Sequence, residues 1–377
     1  MGLNMSGLYV HIPFCKQKCH YCDFFSIKYN VTLVDKYINA LITHISQFKN
    51  KKICSIYIGG GTPSVLSLEQ IQKLLQTLKE NFNLSETREF TFELNPESAS
   101  KDKLHLLKQF KVNRLSIGLQ SVEDSSLNFL GRVHNFRTFC DVYDTARKTG
   151  FDNINIDLIY GLPNQTVKDW EKVLSKALTF SCEHLSLYPL SIEEGTSFYK
   201  TGVVTDNNVQ RDMYDRTVEI LTKNGYTHYE ISNWAKQDRE SFHNSNYWRN
   251  FEYIGIGAGA SGYLERNRYK NIENIEEYIE SCLLLQNTVT GICGNLLKTE
   301  KEYINDELYK SEKIMLGLRL LNEGVDINCF DNQKHKTALM ECLKDKTLEK
   351  YNNRIKLAKE SVFVFNQIVL KFMLVKS

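Results

Sequence analysis

Residues 8–25 read Leu-Tyr-Val-His-Ile-Pro-Phe-Cys-Lys-Gln-Lys-Cys-His-Tyr-Cys-Asp-Phe-Phe, and the fold is organised around this stretch. A short apolar segment runs directly into three cysteines, Cys15, Cys19 and Cys22, in the spacing C-x3-C-x2-C. Three thiols therefore converge at the C-terminal end of a predicted strand. Thiolates grouped in this way bind zinc or an iron–sulfur cluster.

A [4Fe–4S] cluster contains four irons, so three cysteines leave one iron free to hold the amino and carboxylate groups of a small molecule. The spacing resembles that of the radical SAM superfamily, in which this molecule is S-adenosylmethionine. The alternative is a structural zinc ion with His11 or His20 as fourth ligand. Structural zinc ligands usually come as two pairs on separate turns, and the sequence shows no second pair, so the spacing favours the cluster.

The composition is that of an ordinary globular chain, and its 377 residues suffice for one large domain and a smaller one. The 47 basic and 45 acidic residues leave a formal net charge of +2, which gives no indication of nucleic-acid binding. No stretch predicts a membrane span or a signal peptide. Ten cysteines without a secretory signal indicate reduced thiols and a cytoplasmic location.

Six short apolar runs alternate with helical segments, which is typical of parallel strands joined by helical crossovers. Each run ends in glycine or polar residues, as in (β/α) barrels that carry their chemistry on the following loops. The predicted fold class is α/β, a partial (β/α)6 radical-SAM-type barrel. The predicted strands are Leu8–His11, Cys54–Ile58, Glu89–Leu94, Arg114–Ile117, Ile154–Leu158 and His184–Tyr188.

Three domains are predicted from where this alternation starts and stops. Residues 1–205 form the barrel with the cysteine motif. Residues 206–294 lose the regular alternation and form an extension, in which His243 and Tyr247 are placed in a loop. Residues 295–377 are lysine-rich and form a smaller, mostly helical C-terminal accessory domain with a strand-like end.

Glycines follow the second predicted strand, at Gly59, Gly60 and Gly61, and Thr62 comes next. Consecutive glycines let the backbone come close to a ligand. The loop lacks the Lys-Ser/Thr of a nucleotide P-loop. It fits contact with the amino and carboxylate groups of S-adenosylmethionine better.

Polar side chains also lie on or just beyond strands that otherwise look fully buried. A buried charge without a partner is costly, so these residues either pair with one another or bind a ligand. Carboxylates there could accept hydrogen bonds from ribose hydroxyls, and a guanidinium could meet a carboxylate. The residues alone leave both interpretations open for Glu93, Gln120, Arg132 and Asp157.

The segment His243-Asn244-Ser245-Asn246-Tyr247-Trp248 combines a histidine with aromatic residues. A single histidine in such a segment is often a hydrogen-bonded structural residue. Haem iron also accepts histidine as an axial ligand, and aromatic neighbours suit a flat porphyrin. Both roles stay open at this point.

Several motifs together resemble the coproporphyrinogen dehydrogenase family of radical SAM proteins, from about residue 8 to the C-terminus. They are YVHIPFC at residues 9–15, GGGTPS at 59–64, FELNP at 92–96, SIGLQS at 116–121 and NIDLIYGLP at 155–163.

Two branches of this family differ around the cysteines. The oxygen-independent coproporphyrinogen III oxidases have a longer N-terminal arm and a fourth cysteine two residues after the third, where this chain has Phe24. The haem chaperones of the HemW type lack both and carry an H-N-x-x-Y-W motif. His243–Trp248 matches that motif in full, so the resemblance is to the chaperone branch.

The resemblance implies that Cys15, Cys19 and Cys22 hold a [4Fe–4S] cluster. It implies a haem chaperone, with His243 as the candidate haem contact, that delivers haem to haem-dependent, respiratory proteins, some of them membrane-bound. It also implies that the chain has the residues for cleaving S-adenosylmethionine but lacks coproporphyrinogen oxidase activity. The alternative function is that of an oxygen-independent coproporphyrinogen III oxidase. The oligomeric state stays open. The residues implied to contact S-adenosylmethionine are Tyr9, Tyr21, Gly60, Gly61, Thr62, Glu93, Gln120, Arg132 and Asp157.

Overall fold

A computed structural model describes residues 6–286 and 297–373 of the chain. The first half alternates strands and helices as predicted. Its elements are β1 (Ser6–Ile12), β2 (Phe14–Cys15), β3 (Ile27–Lys28), α1 (Val31–Ser46), β4 (Ile53–Gly60), α2 (Leu68–Asn81), β5 (Glu89–Leu94), α3 (Lys101–Gln109), β6 (Arg114–Gln120), α4 (Asp124–Phe129), α5 (Phe136–Lys148), β7 (Ile154–Tyr160), α6 (Val167–Leu178) and β8 (His184–Pro189).

The second half contains shorter strands and a few longer helices. Its elements are α7 (Ser197–Lys200), α8 (Asn207–Lys223), β9 (Thr227–Glu230), β10 (Asn233–Ala235), α9 (Phe242–Trp248), β11 (Tyr253–Ile256), β12 (Ser261–Leu264), β13 (Asn267–Asn271), α10 (Ile275–Gln286), β14 (Lys298–Tyr303), α11 (Asp306–Gly317), β15 (Val325–Asp326), α12 (Gln333–Lys344), β16 (Leu348–Tyr351), β17 (Arg354–Leu357) and α13 (Phe365–Leu370).

One large sheet carries the barrel, in the order β14-β13-β12-β11-β1-β4-β5-β6-β7-β8-β10-β9. From β11 to β8 every neighbouring pair is parallel, whereas the pairs at both flanks are antiparallel. The six predicted strands are confirmed as β1 and β4–β8, and the sheet stays open, as a partial barrel requires. The fold class is thus confirmed.

Helix starts follow their capping residues. Ser67 forms a capping box with Gln70 at the start of α2, and the Ser100 side chain accepts the amide of Lys103 at the start of α3. Each cap satisfies an amide that would otherwise lack a partner in the first turn. Gly150 follows α5 with a φ of +94°, which favours glycine after a helix end.

The barrel strands have two chemically different faces. Alternate residues such as Leu8, Ile56 and Ile117 are fully buried in one hydrophobic core that they share with the helices. The residues between them face the other way, because strand side chains alternate. Among these are Tyr57, Glu93, Arg114, Ser116, Asn155, Asp157, His184 and Ser186. The interior of the partial barrel is therefore polar.

Two local predictions were wrong. His243 and Tyr247 lie on helix α9 and not in a loop, because Ser241 caps the helix by accepting the Asn244 amide, and the Glu89 carboxylate accepts the amides of Phe242 and His243. The described end of the chain is helical and not strand-like, since Phe365 and Ile368 are buried on one face of α13.

The predicted domain boundaries at 205/206 and 294/295 stay predictions. Strands β9–β14 belong to the same sheet as the barrel strands. Residue 294 itself lies outside the described residues. Strands β15–β17 form a separate small sheet beside α11 and α12. Among the described helices, none has the length and apolar character needed to cross a membrane.

Candidate cluster and cofactor site

The three cysteines line one cavity of about 520 Å³ at the C-terminal edge of the parallel strands. Strand β1 ends at Ile12, and the chain then forms β2, which pairs in parallel with β3. This short ladder fixes both ends of the cysteine loop. Cys15 is buried, whereas Cys19 and Cys22 are partly exposed at the cavity.

A chain of hydrogen bonds connects two of the thiols. Thr62 Oγ1 lies 3.6 Å from Cys15 Sγ, and Asn95 Nδ2 donates to Thr62 Oγ1 at 3.0 Å. Arg132 Nη2 donates to Asn95 Oδ1 at 2.6 Å, while its Nη1 lies 3.5 Å from Cys19 Sγ. Asn95 thus holds Thr62 and Arg132 in place, and these two side chains orient the sulfurs. Hydrogen bonds to ligand sulfurs are also a means of tuning an iron–sulfur cluster.

The histidines considered for a zinc site are engaged elsewhere. His11 uses both ring nitrogens, Nδ1 with the Tyr9 hydroxyl at 2.8 Å and Nε2 with the Phe25 carbonyl at 3.0 Å. His20 Nδ1 bonds to the Phe129 carbonyl at 2.9 Å. Within the part of the chain that the structure describes, no three His, Cys, Asp or Glu side chains are close enough to share a single metal ion. Three thiols around one cavity fit a larger, polynuclear group better.

The glycine loop closes tightly on the cysteine loop. A Cβ added to Gly61 would lie 2.9 Å from the Phe14 backbone and 3.0 Å from Cys15 Sγ. Gly60 has a φ of +116°, which side chains rarely adopt. Its amide donates to Glu93 Oε2 at 3.2 Å, and the Tyr57 hydroxyl donates to Glu93 Oε1 at 2.5 Å.

Asp157 lies deeper in the same cavity, held by two neighbours. Ser116 Oγ donates to Asp157 Oδ2 at 3.2 Å, and Asn155 Nδ2 donates to Asp157 Oδ1 at 2.8 Å. Burial nevertheless raises the pKa of Asp157 above its ordinary value. Glu93 and Asp157 can therefore still accept hydrogen bonds from a ligand. Keeping these two buried carboxylates charged is energetically costly in the free chain.

Burial also raises the pKa values of two of the cysteine thiols. The pKa of Cys15 is above its ordinary value, and that of Cys22 rises to about 11. A metal must displace the protons of these two thiols to bind. Thiolate donors and a cavity bounded by glycine fit a [4Fe–4S] cluster.

Most of the other residues predicted to contact S-adenosylmethionine line this cavity. Gln120 ends β6 at an irregular register with a φ of +70°, which turns the chain at the cavity edge. Tyr21, Thr62 and Arg132 also line the cavity. Tyr9 does not; its hydroxyl is used by His11.

His243 lies below the cavity in a closed environment. The side chain is buried, its Nδ1 pairs with Ser55 Oγ at 2.8 Å and its Nε2 with the Tyr247 hydroxyl at 2.7 Å. Burial is also the main cause of a pKa of about 3. Both ring nitrogens are occupied, so contact with a haem iron would require the bond to Ser55 or the bond to Tyr247 to open. The haem role of His243 stays a prediction.

Sequence reasoning missed several residues of the cavity. All but Asn244, which lies on helix α9, share an inward position on a strand or a place in the loop directly after it, so the alternation of the strands was the signal that could have found them. They are Tyr57, Asn95, Arg114, Ser116, Asn155, Ser186 and Asn244.

Comparison with known proteins shows what this arrangement is similar to. The model of the radical SAM superfamily matches residues 9–177. The heme chaperone HemW of Lactococcus lactis subsp. lactis (strain IL1403) is 37% identical, covering 98% of this chain and 97% of that protein. The chain belongs to the HemW family. The predicted family is thereby confirmed.

A second relative and a solved structure cover different shares of the chain. The heme chaperone HemW of Escherichia coli (strain K12) is 38% identical over 68% of this chain and 69% of its own length. Among solved structures, the radical SAM enzyme coproporphyrinogen III oxidase (HemN) from Escherichia coli matches with a TM-score of 0.84 and 22% identity. The match covers 98% of this chain and 90% of that one. At this identity the likeness establishes the fold alone.

The environment of Glu93 predicts a pH-dependent stability. Burial, and repulsion by Asp157 after it, raise the Glu93 pKa from 4.5 to about 7. The folded chain then binds this proton more tightly than the unfolded chain, so the free energy of unfolding falls as the pH rises from 4.5 to about 7. We expect Glu93→Gln to flatten this decline, measured by urea unfolding across that range.

Glu349→Gln is the matched control, because Glu349 is exposed on β16 and should leave the decline unchanged. An equally steep decline in the Glu93→Gln variant would show that other groups cause it.

Proposed function

We propose that this chain is a haem chaperone that binds a [4Fe–4S] cluster, S-adenosylmethionine and haem, and delivers haem to haem-dependent, respiratory proteins in the cytoplasm or at the membrane. One observation carries the proposal: three cysteines, the glycine loop and two buried carboxylates line one cavity. The chain that builds it matches a heme chaperone HemW over nearly its whole length.

Cys15, Cys19 and Cys22 would hold the cluster, with Thr62 positioning the Cys15 thiol and Arg132 positioning the Cys19 thiol. A bound cluster supplies an electron and an open iron for the amino and carboxylate groups of S-adenosylmethionine. Glu93 and Asp157 offer acceptor oxygens for hydroxyl groups. The apolar core behind the strands keeps these side chains in place.

The second candidate function is an oxygen-independent coproporphyrinogen III oxidase, and the HemN fold match is the observation that favours it. The fold alone does not decide, because related sites on one fold host different functions. Phe24 stands where the oxidases carry a fourth cysteine, and its side chain is 63% exposed at the cavity. This difference at the cysteine loop favours the chaperone.

Cluster binding should depend on all three cysteines of the loop. Anaerobically reconstituted protein should hold roughly four irons and four sulfides per chain, as a [4Fe–4S] cluster requires. Cys19→Ala should abolish this content, whereas Cys140→Ala on the outer helix α5 should keep it. Iron and labile-sulfide analysis provides the measurement; tightly bound zinc without sulfide would contradict the cluster.

The choice between chaperone and oxidase can be measured directly. We expect purified, reconstituted protein to bind haem in an absorption titration. Supplied with coproporphyrinogen III, S-adenosylmethionine and a reductant without oxygen, it should form no protoporphyrinogen IX. A working oxidase assayed in parallel is the control. Product formation at a comparable rate would establish the oxidase instead.

The haem role of His243 can be tested by comparing variants of His243 and of its hydrogen-bond partner Tyr247. If its Nε2 contacts haem iron, His243→Ala should shift or remove the haem absorption bands and leave the cluster content unchanged. Tyr247→Phe removes the competing hydroxyl at 2.7 Å, so it should keep the bands or strengthen them. If His243→Ala leaves the haem bands unchanged and both variants have lower thermal stability, the role of His243 is to stabilise helix α9 and not to bind haem.

A further inference from the structure

Arg114 is a buried cation without a partner at the floor of the cavity. It begins β6, it is 2% exposed, and it lines the cavity together with Ser116 and Asn155. Its Nε has no hydrogen-bond partner. Over residues 6–286 and 297–373, no carboxylate oxygen lies within 4.0 Å of its nitrogens. An unpaired buried charge is energetically costly, so this position is suited to an anion.

None of the acids around Arg114 forms an ion pair with it in the described part of the chain. Glu89, Glu93 and Asp157 are the acids on the same barrel face; burial raises the pKa of Glu93 and Asp157, and the Glu89 carboxylate accepts the amides of Phe242 and His243. His184 and His243 lie on the other sides, and burial, with Arg114 as a further cause, lowers the pKa of each. Both histidines are therefore neutral at pH 7. Among the described residues, the Arg114 guanidinium thus has carboxylates nearby but none in direct contact, which leaves its Nε free to bind a ligand.

Arg114 lies too far from the cysteine loop to bind the carboxylate of S-adenosylmethionine. Six residues separate Arg114 from Gln120 at the other end of β6. At roughly 3.3 Å per residue, this separation is roughly 20 Å. An extended arginine side chain covers less than half of that length. A carboxylate held at the open iron, beside the cysteine loop, lies at the far end of the cavity from Arg114.

We propose that Arg114 binds a carboxylate of a second ligand, a porphyrin propionate, at the floor of the barrel. The inference rests on the proposed function, in which haem is the cargo, and it adds a binding residue that none of the sequence motifs pointed to. Guanidinium groups bind carboxylates through two parallel N–H···O bonds. Asn155 and Ser116 line the same floor, but their donors are used within the barrel, so the guanidinium is the donor that this position offers to a carboxylate.

The test compares haem with its dimethyl ester, in which both propionates are blocked, on the full chain with its cluster reconstituted. We expect the unaltered chain to bind haem at least roughly 10-fold more tightly than the ester, as loss of a charge-assisted hydrogen bond predicts. Arg114→Met should reduce this preference to less than roughly twofold, and Arg114→Lys should restore part of it. S-adenosylmethionine affinity should stay the same in both variants.

Arg147→Met is the matched control, because Arg147 is an ion-paired arginine on the outer helix α5, 2.9 Å from Glu183. It should keep the preference for haem and lower the melting temperature. Arg114→Met should melt no lower than the unaltered chain, since it removes an uncompensated charge. A much lower melting temperature in Arg114→Met would show a structural role and overturn the inference.

The remaining outcomes separate this inference from the function on which it rests. A preference for haem that survives Arg114→Met, or a selective loss of S-adenosylmethionine binding, overturns the propionate assignment alone. Failure of the unaltered chain to bind either porphyrin overturns the haem chaperone function and the assignment together.

Discussion

The parallel pairing of β1 between β4 and β11 is the constraint on which the site depends. In this register Ile12 lies opposite Gly60, so the cysteine loop and the glycine loop leave the sheet side by side. Only then can Gly61 pack against Phe14 and Thr62 reach the Cys15 thiol. A slip of one residue would turn every inward side chain of β1 outward. Correct pairing of this strand therefore precedes any assembly of the ligand site.

A polar barrel interior follows from the same sheet. The core lies between the strands and the helices, so the inward residues contribute hydrogen bonds and not apolar burial. Asn155 shows how closely these bonds are shared, since its side chain serves Ser116, Asp157, Ser186 and His184. Such a network positions its members well when every bond is made. Loss of one shared residue would disturb several others.

Sequence patterns predicted the features that depend on near neighbours. The six barrel strands and the cavity position of Glu93 and Asp157 could be read from period and residue type. Features that depend on contacts between residues far apart in the sequence could not be predicted in this way. Ser55 lies 188 positions from His243 and still occupies one of its ring nitrogens. Only the folded chain places Asn95 between Thr62 and Arg132.

The open sheet leaves two edge strands that are protected in different ways. Exposed edges offer unpaired backbone groups to strands of other chains, which leads to aggregation. Strand β14 forms one edge and carries Lys298, Glu300 and Lys301, charges that would have to lose water if a foreign strand paired there. Strand β9 forms the other edge, and Leu320 and Leu321 bond to its last residues. One edge is thus guarded by charge and the other by a neighbouring segment of the same chain.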